Sequence, residues 1–193
     1  MMTYAYKVVR VKLKEFGIFT NDFVNSFSKD FKKENKFDGL FAVIKLGIPS
    51  KAKTVVPIYQ MSRRYIKSRC NKAKFIGVEK FYLVTILKTN KRNKDDLCNM
   101  NYYDVTDFIK KHYDINLLCY RSYADRFFTY KIGEYAVPHN FFDESPIKSC
   151  SSGIHYVDTI KEAILYFIEC ILHDSYNNVQ EGETDGIFSE DWN

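Results

Sequence analysis

From Tyr4 to Leu13 the chain runs Tyr, Ala, Tyr, Lys, Val, Val, Arg, Val, Lys, Leu, the β-branched, partly alternating pattern of a half-buried strand. Leu40–Leu46 reads as a second strand closed by Gly47 and Pro49. Ala73–Lys88, with Phe75, Ile76, Val78, Phe81, Leu83, Val84 and Ile86, holds one or two more. Phe127–Val137 is strand-like again, broken by Gly133. Between these, Thr20–Lys36 is polar with Phe23, Phe27 and Phe31 spaced by four, a short helix or an ordered loop, and the charged Lys88–Asp96 is a loop.

Helical signals are fewer. Asp104 is placed to cap a helix from Val105 to His112, with Asp107 in its first turn and Lys110 and Lys111 in its last, as the helix dipole favours. Thr159-Ile160-Lys161-Glu162 spells a capping box. Beyond it Ile160, Ala163, Ile164, Phe167, Ile168, Ile171 and Leu172 form one apolar stripe, the mark of a core helix. Strands with few helices and no regular βα alternation predict an α+β fold of mixed or antiparallel strands with a C-terminal core helix. One domain is expected over residues 1–174. Residues 175–193 carry Glu181, Glu183, Asp185, Glu190 and Asp191 with no base, which predicts a mobile acidic tail.

Composition is globular, with 46% hydrophobic and 17% aromatic residues in 193, enough to build a core without metal or disulfide. The 5 cysteines are odd in number and scattered without a CxxC spacing, so a reducing, intracellular setting is expected. No apolar run approaches the roughly 18 residues of a membrane span, and the first fourteen residues lack the apolar core of a secretory signal.

The formal net charge of +5 conceals a division. Residues 1–100 hold 22 Lys and Arg against 8 Asp and Glu; residues 101–193 hold 7 against 16. From Lys45 to Val78 there are nine bases and no acid, including Lys51, Lys53, Arg63, Arg64, Lys67, Arg69, Lys72 and Lys74. Such a segment suits a phosphate backbone or another polyanion. It equally suits a solvated face paired with the acidic half of the same chain, the commoner outcome for charge runs.

Ala42 to Lys53, including Leu46, Ile48-Pro49 and Ala52-Lys53, with Arg69-Cys70 after it, resembles an L-x-I-P-x-x-A-K … R-K-C-R pattern. Tyr130-Lys131-Ile132-Gly133, Pro138, Phe141 and Cys150-Ser151-Ser152-Gly153-Ile154-His155-Tyr156 are similar to its continuation. The pattern is that of an uncharacterised domain family of giant viruses, phages and pentapeptide-repeat proteins. The resemblance spans residues 4 to 170 and implies a virus-like or phage-like source but no reaction. His139, after the Pro, and the shortened Arg69-Cys70 depart from it.

Within this block Cys150, Ser151, Ser152, Gly153 and His155 form a small polar turn. Such a turn suits an anion held by backbone N–H groups, a Cys–His nucleophile, or a tight turn in which Gly153 and the serines serve structure alone. A looser resemblance, through Gly153-Ile154-His155-Tyr156, Arg121 upstream and Glu181 and Glu183 downstream, points to ADP-ribosyltransferases, which bind NAD. Phosphate-binding Gly-rich loops, HExxH and GxSxG are absent, and His112, His139, His155 and His173 have no metal-ligand spacing. The sequence therefore predicts a non-catalytic binding module, host-interacting or virion-associated, with no cofactor, no metal and no membrane. Its expected partner is a protein or a small anionic ligand. NAD chemistry and nucleic-acid association through residues 45–74 are the alternatives.

Overall fold

The computed structural model describes residues 1–12, 35–58, 64–87, 100–123, 125, 127–148 and 151–172. The expected helix or loop before Asn35, the expected loop at Lys88–Asp96 and the expected tail 175–193 lie outside them, as do Arg63, Cys150, Glu181 and Glu183. Strands β1 (Met2–Lys12) and β2 (Asn35–Pro49) pair antiparallel; β3 (Thr54–Val55) and β4 (Ser68–Cys70) form a small hairpin; β5 (Ala73–Leu87) pairs with β2. After β6 (Met100–Asp104) come α1 (Thr106–His112), β7 (Cys119–Ser122), β8 (Thr129–Tyr130), β9 (Tyr135–Ala136) and β10 (Ile154–Tyr156). The chain then enters α2 (Ile160–Tyr166), which runs on as a π-helix over Phe167–Leu172. The larger sheet has the order β6-β5-β2-β1-β7-β8, with β9 beside the start of β5, and the smaller one the order β10-β4-β3. All strand pairings among the described residues are antiparallel, and the fold is a single α+β domain with a C-terminal helix, as the sequence pattern predicts.

Strand β2 is covered on both faces, which accounts for the unbroken apolar run Leu40–Ile44. Leu40, Ala42, Ile44 and Leu46 face the larger core with Phe75, Phe81, Tyr120, Ile109 of α1 and Ile154 and Tyr156 of β10. Phe41 and Val43 face a second cluster with Val8, Tyr82, Val84, Ala163 and Phe167 beneath α2. The strand does not stop at Gly47: that residue pairs with both Tyr4 and Lys74, and β2 ends at Pro49. A Cβ on Gly47 would lie 3.0 Å from the Met2 sulfur and 3.1 Å from Ile76, so the close approach of three strands explains the glycine.

Ala73–Leu87 is one strand, and its pattern is irregular for a physical reason. The β2–β5 register shifts between Val43 and Ile44 and between Lys45 and Leu46, each time inserting an extra residue in β5. Each insertion reverses which face the next side chain takes, so Phe75, Val78, Phe81 and Leu83 all reach the same core. Gly133, at φ +83°, turns the chain between β8 and β9, and its N–H donates to the Phe75 carbonyl at 2.7 Å.

Helix α1 starts one residue later than expected. Asp104 closes β6, Val105 occupies the cap position, and the Asp104 carboxylate accepts the Thr106 N–H (3.0 Å) from one place further out. The Thr106 hydroxyl in turn accepts the Phe81 N–H at 2.9 Å, tying the helix to β5. The capping box of α2 is present in both directions: Thr159 Oγ1 accepts the Glu162 N–H (3.1 Å) and Glu162 accepts the Thr159 N–H (2.9 Å). Along α2 and its continuation Ala163 and Phe167 are fully buried, while Ile160, Ile164 and Ile168 are half-buried.

Phe167 stacks on Tyr82 (ring centroids 5.5 Å apart) and packs on Phe41 (5.3 Å) and Tyr102 (6.0 Å). Phe167→Ala is expected to cost about 3–5 kcal/mol, as for a buried aromatic truncated to a cavity. Urea unfolding checks it, and a loss under about 1 kcal/mol would mean that α2 is not held to the sheet through this ring.

Candidate functional site

One edge of β1 changes partner along its length. Val9–Lys12 pair with β7, whereas Tyr6 exchanges both its backbone hydrogen bonds with Val157, just beyond β10 (2.8 and 2.9 Å). Lys7 and Val8 fall between the two partners, and there a cavity of about 110 Å³ opens. Tyr6 and Val8 line it from one face of β1 and Lys7 from the other, Ala163 and Tyr166 of α2 cover it, and Tyr123 closes it beyond β7. Lys67, which leads into β4, and His155, Tyr156 and Val157 complete the wall.

Strand alternation puts Lys7 in the row of Ala5, Val9 and Val11, the core-facing residues of β1. The residue keeps partial exposure, but its ammonium end is enclosed and donates to the His155 carbonyl at 3.1 Å, with the Tyr130 ring 6.0 Å away. Burial, and after it the charge of Lys67, lowers the Lys7 pKa to about 8. Burial also pulls His155 down to about 3, reinforced by Lys7, Lys67 and Arg69, so its imidazole is neutral near pH 7. The His155 Nε2 is enclosed without a hydrogen-bond partner. The Lys67 ammonium lies over the Tyr166 ring at 5.5 Å. Burial raises Tyr156 to about 12, keeping its phenol neutral. Among the described residues that line the cavity none is acidic.

The polar turn named from the sequence is a structural joint. Gly153 has φ +150°, and a Cβ there would meet the Phe142 ring at 3.1 Å and the Arg69 side chain at 3.3 Å. The Ser151 hydroxyl donates to Asp143 at 2.5 Å, and Asp143 also accepts the Ser145 N–H and meets Lys148 at 3.2 Å. Those donors hold its carboxyl well below the usual carboxylate range, Ser151 contributing most. The serine thus already serves an anion, the chain's own. Ser152 accepts the Asp143 N–H through its carbonyl at 3.3 Å. Of the four described turn residues, Ser151, Ser152, Gly153 and His155, only His155 lines the cavity.

Arg69 corrects the expectation of a basic surface: it is fully buried, and its guanidinium donates to the carbonyls of Asp143 (3.1 Å), Lys148 (2.6 Å) and Ser145. The other described bases of the segment are dispersed. Lys53 pairs with Glu144 (2.5 Å), Arg64 with Glu169 (3.3 Å), and Lys72 and Lys74 lie over the Tyr135 ring, while Lys51 is exposed. Acids from the C-terminal half therefore do meet this segment. Of the NAD-type set, Tyr156 lines the cavity and Arg121 does not; Arg121 sits on β7 opposite Arg10, its Nε buried without a partner. Among the described residues no three His, Cys, Asp or Glu side chains converge as a metal site would, and no helix is long and apolar enough to cross a membrane.

Sequence reasoning passed over Lys7. The signal was available, since a lysine stands at an inward position of an otherwise apolar row. No family model matches the chain, and no curated protein or solved structure is similar to it at a significant level.

Two outcomes follow from this geometry. Arg69→Met would remove the buried guanidinium that donates to three carbonyls and is expected to cost about 3–5 kcal/mol. Faster hydrogen exchange at the backbone amides of residues 143–148 should accompany the loss, and unchanged protection would separate the guanidinium from the order of that loop. Because His155 has a pKa of about 3 folded against 6.5 in the open chain, the unfolded state binds the extra proton between those values, and stability should fall as pH drops through that window. Urea midpoints from pH 7 to 4 should decline more steeply for the native chain than for His155→Gln; parallel curves would mean that the imidazole is solvated.

Proposed function

We propose that the protein is a non-catalytic binding module and that the notch beside β1 is its ligand site, taking a small organic carboxylate. The observation that carries this reading is the convergence of two amines, Lys7 and Lys67, and the enclosed His155 Nε2 on one cavity among tyrosine rings, with no acid among its described lining residues. A positive site of this kind is completed by an anion, because charge pairing in a partly desolvated notch is stronger than in water. Size narrows the class. About 110 Å³ is somewhat less than the ~150 Å³ that holds benzene in an engineered cavity, room for the body of a short-chain acid. The virus-like or phage-like setting, as a host-interaction or virion-associated module, belongs to the same proposal and rests on the motif resemblance alone.

Propionate and its neutral isostere propionamide provide the test, read as shifts of assigned tyrosine and His155 resonances. Saturable binding of propionate is expected, with propionamide at least about tenfold weaker. Affinity should fall from pH 7 to 9 as Lys7 loses its proton, and Lys67→Gln should weaken it at every pH. Equal binding of the amide, or binding of inorganic phosphate in preference to propionate, would overturn the carboxylate reading.

A further inference from the structure

Lys7 is more than a counter-charge. Its amine is enclosed beside a small cavity, is held by the His155 carbonyl, and stands near enough to Lys67 for the second charge to act on it. A primary amine placed this way, between a cationic neighbour and apolar rings, has the setting that turns a lysine into a nucleophile toward carbonyl carbon. The anion site next to it would hold the carboxylate of an α-oxo acid while the oxo carbon is presented to Nζ. We propose that Lys7 captures small α-oxo carboxylates covalently, as a protonated imine at Nζ. This rests on the carboxylate-site reading and goes beyond it, since propionate would occupy the notch without reacting.

The step balances without another reagent. The neutral amine adds to the oxo carbon and forms the C–N bond; a proton passes from nitrogen to the former oxo oxygen, and that oxygen leaves as water on gaining a second one. Overall, an ammonium and an α-oxo acid give a protonated imine and water, with no change in oxidation state. The cationic imine then sits against the ligand's own carboxylate. The lowered proton affinity of Lys7 supports the same chemistry, since about a tenth of the amine is neutral at pH 7.

The experiment incubates the full chain with pyruvate and cyanoborohydride at pH 7 and maps the reduced adducts by peptide mass spectrometry. Lys7 should be modified at an initial rate about tenfold or more above exposed lysines such as Lys51 and Lys72. The rate should be half-maximal near pH 8 and should slow when propionate is added. Lys7→Met should remove the fast adduct alone; if that variant does not fold, the pH profile of the native chain decides. Adducts spread over exposed lysines while propionate still binds would sink the imine and leave the carboxylate site standing. Loss of both the Lys7 adduct and propionate binding would sink both.

Discussion

The molecule is organised by how one edge of β1 satisfies its backbone hydrogen bonds. A strand edge inside a protein must be paired or covered, and this one is divided: β7 serves Val9–Lys12 and Val157 serves Tyr6. That division joins the two sheets, because Val157 directly follows β10 and β10 lies on β4. It also creates the notch, because two residues of β1 fall between the partners. Lys7, Lys67 and His155 come from three distant parts of the chain and meet only because the edge changes hands at this point.

A second constraint holds the far side of the small sheet. Arg69 brings a full charge into the interior and satisfies it with backbone carbonyls from residues 143–148. Removing a charge from water is costly, and the guanidinium is tolerated because its fork of donors matches that set of acceptors. Asp143 works in the opposite sense on the same loop, collecting Ser151, the Ser145 N–H and Lys148. The loop is thereby clamped from within by a cation and from its rim by an anion, and Gly153 leaves room for the Arg69 side chain and the Phe142 ring.

What could be read from the sequence was what local chemistry decides. The capping box at Thr159 and Glu162 needs four consecutive residues and appears as spelled; the run Leu40–Leu46 reads as a strand and is one. What escaped depends on distant partners. Nothing local marks the insertions that turn Phe75, Val78 and Phe81 toward one core, nor the widening of the helix at Phe167. Among the described bases of the charge run from Lys45 only Arg69 departs from a surface position, and for the same reason it went unmarked: a surface lysine, an arginine in the core and a base against a tyrosine ring look identical in one dimension. The turn around Ser151 was recognised as polar and tight, but nothing local shows that its occupant is Asp143, eight residues upstream. At the cavity, His155 was in view and Lys7 was not, since an inward lysine gains meaning only when β10 and Lys67 are brought beside it.

The central strand of the small sheet carries a thiol, Cys70, fully buried and paired across to Thr54 and Ile154. Burial pushes it up to about 12, against weaker opposing pulls from the Lys72 backbone N–H and Lys7. Since only the thiolate is nucleophilic, Cys70 is chemically silent in the folded protein, whereas Cys119 is partly exposed. Alkylation of Cys70 therefore registers opening of the sheet that floors the cavity, and it gives the molecule an internal clock for that motion, written in a single covalent mark.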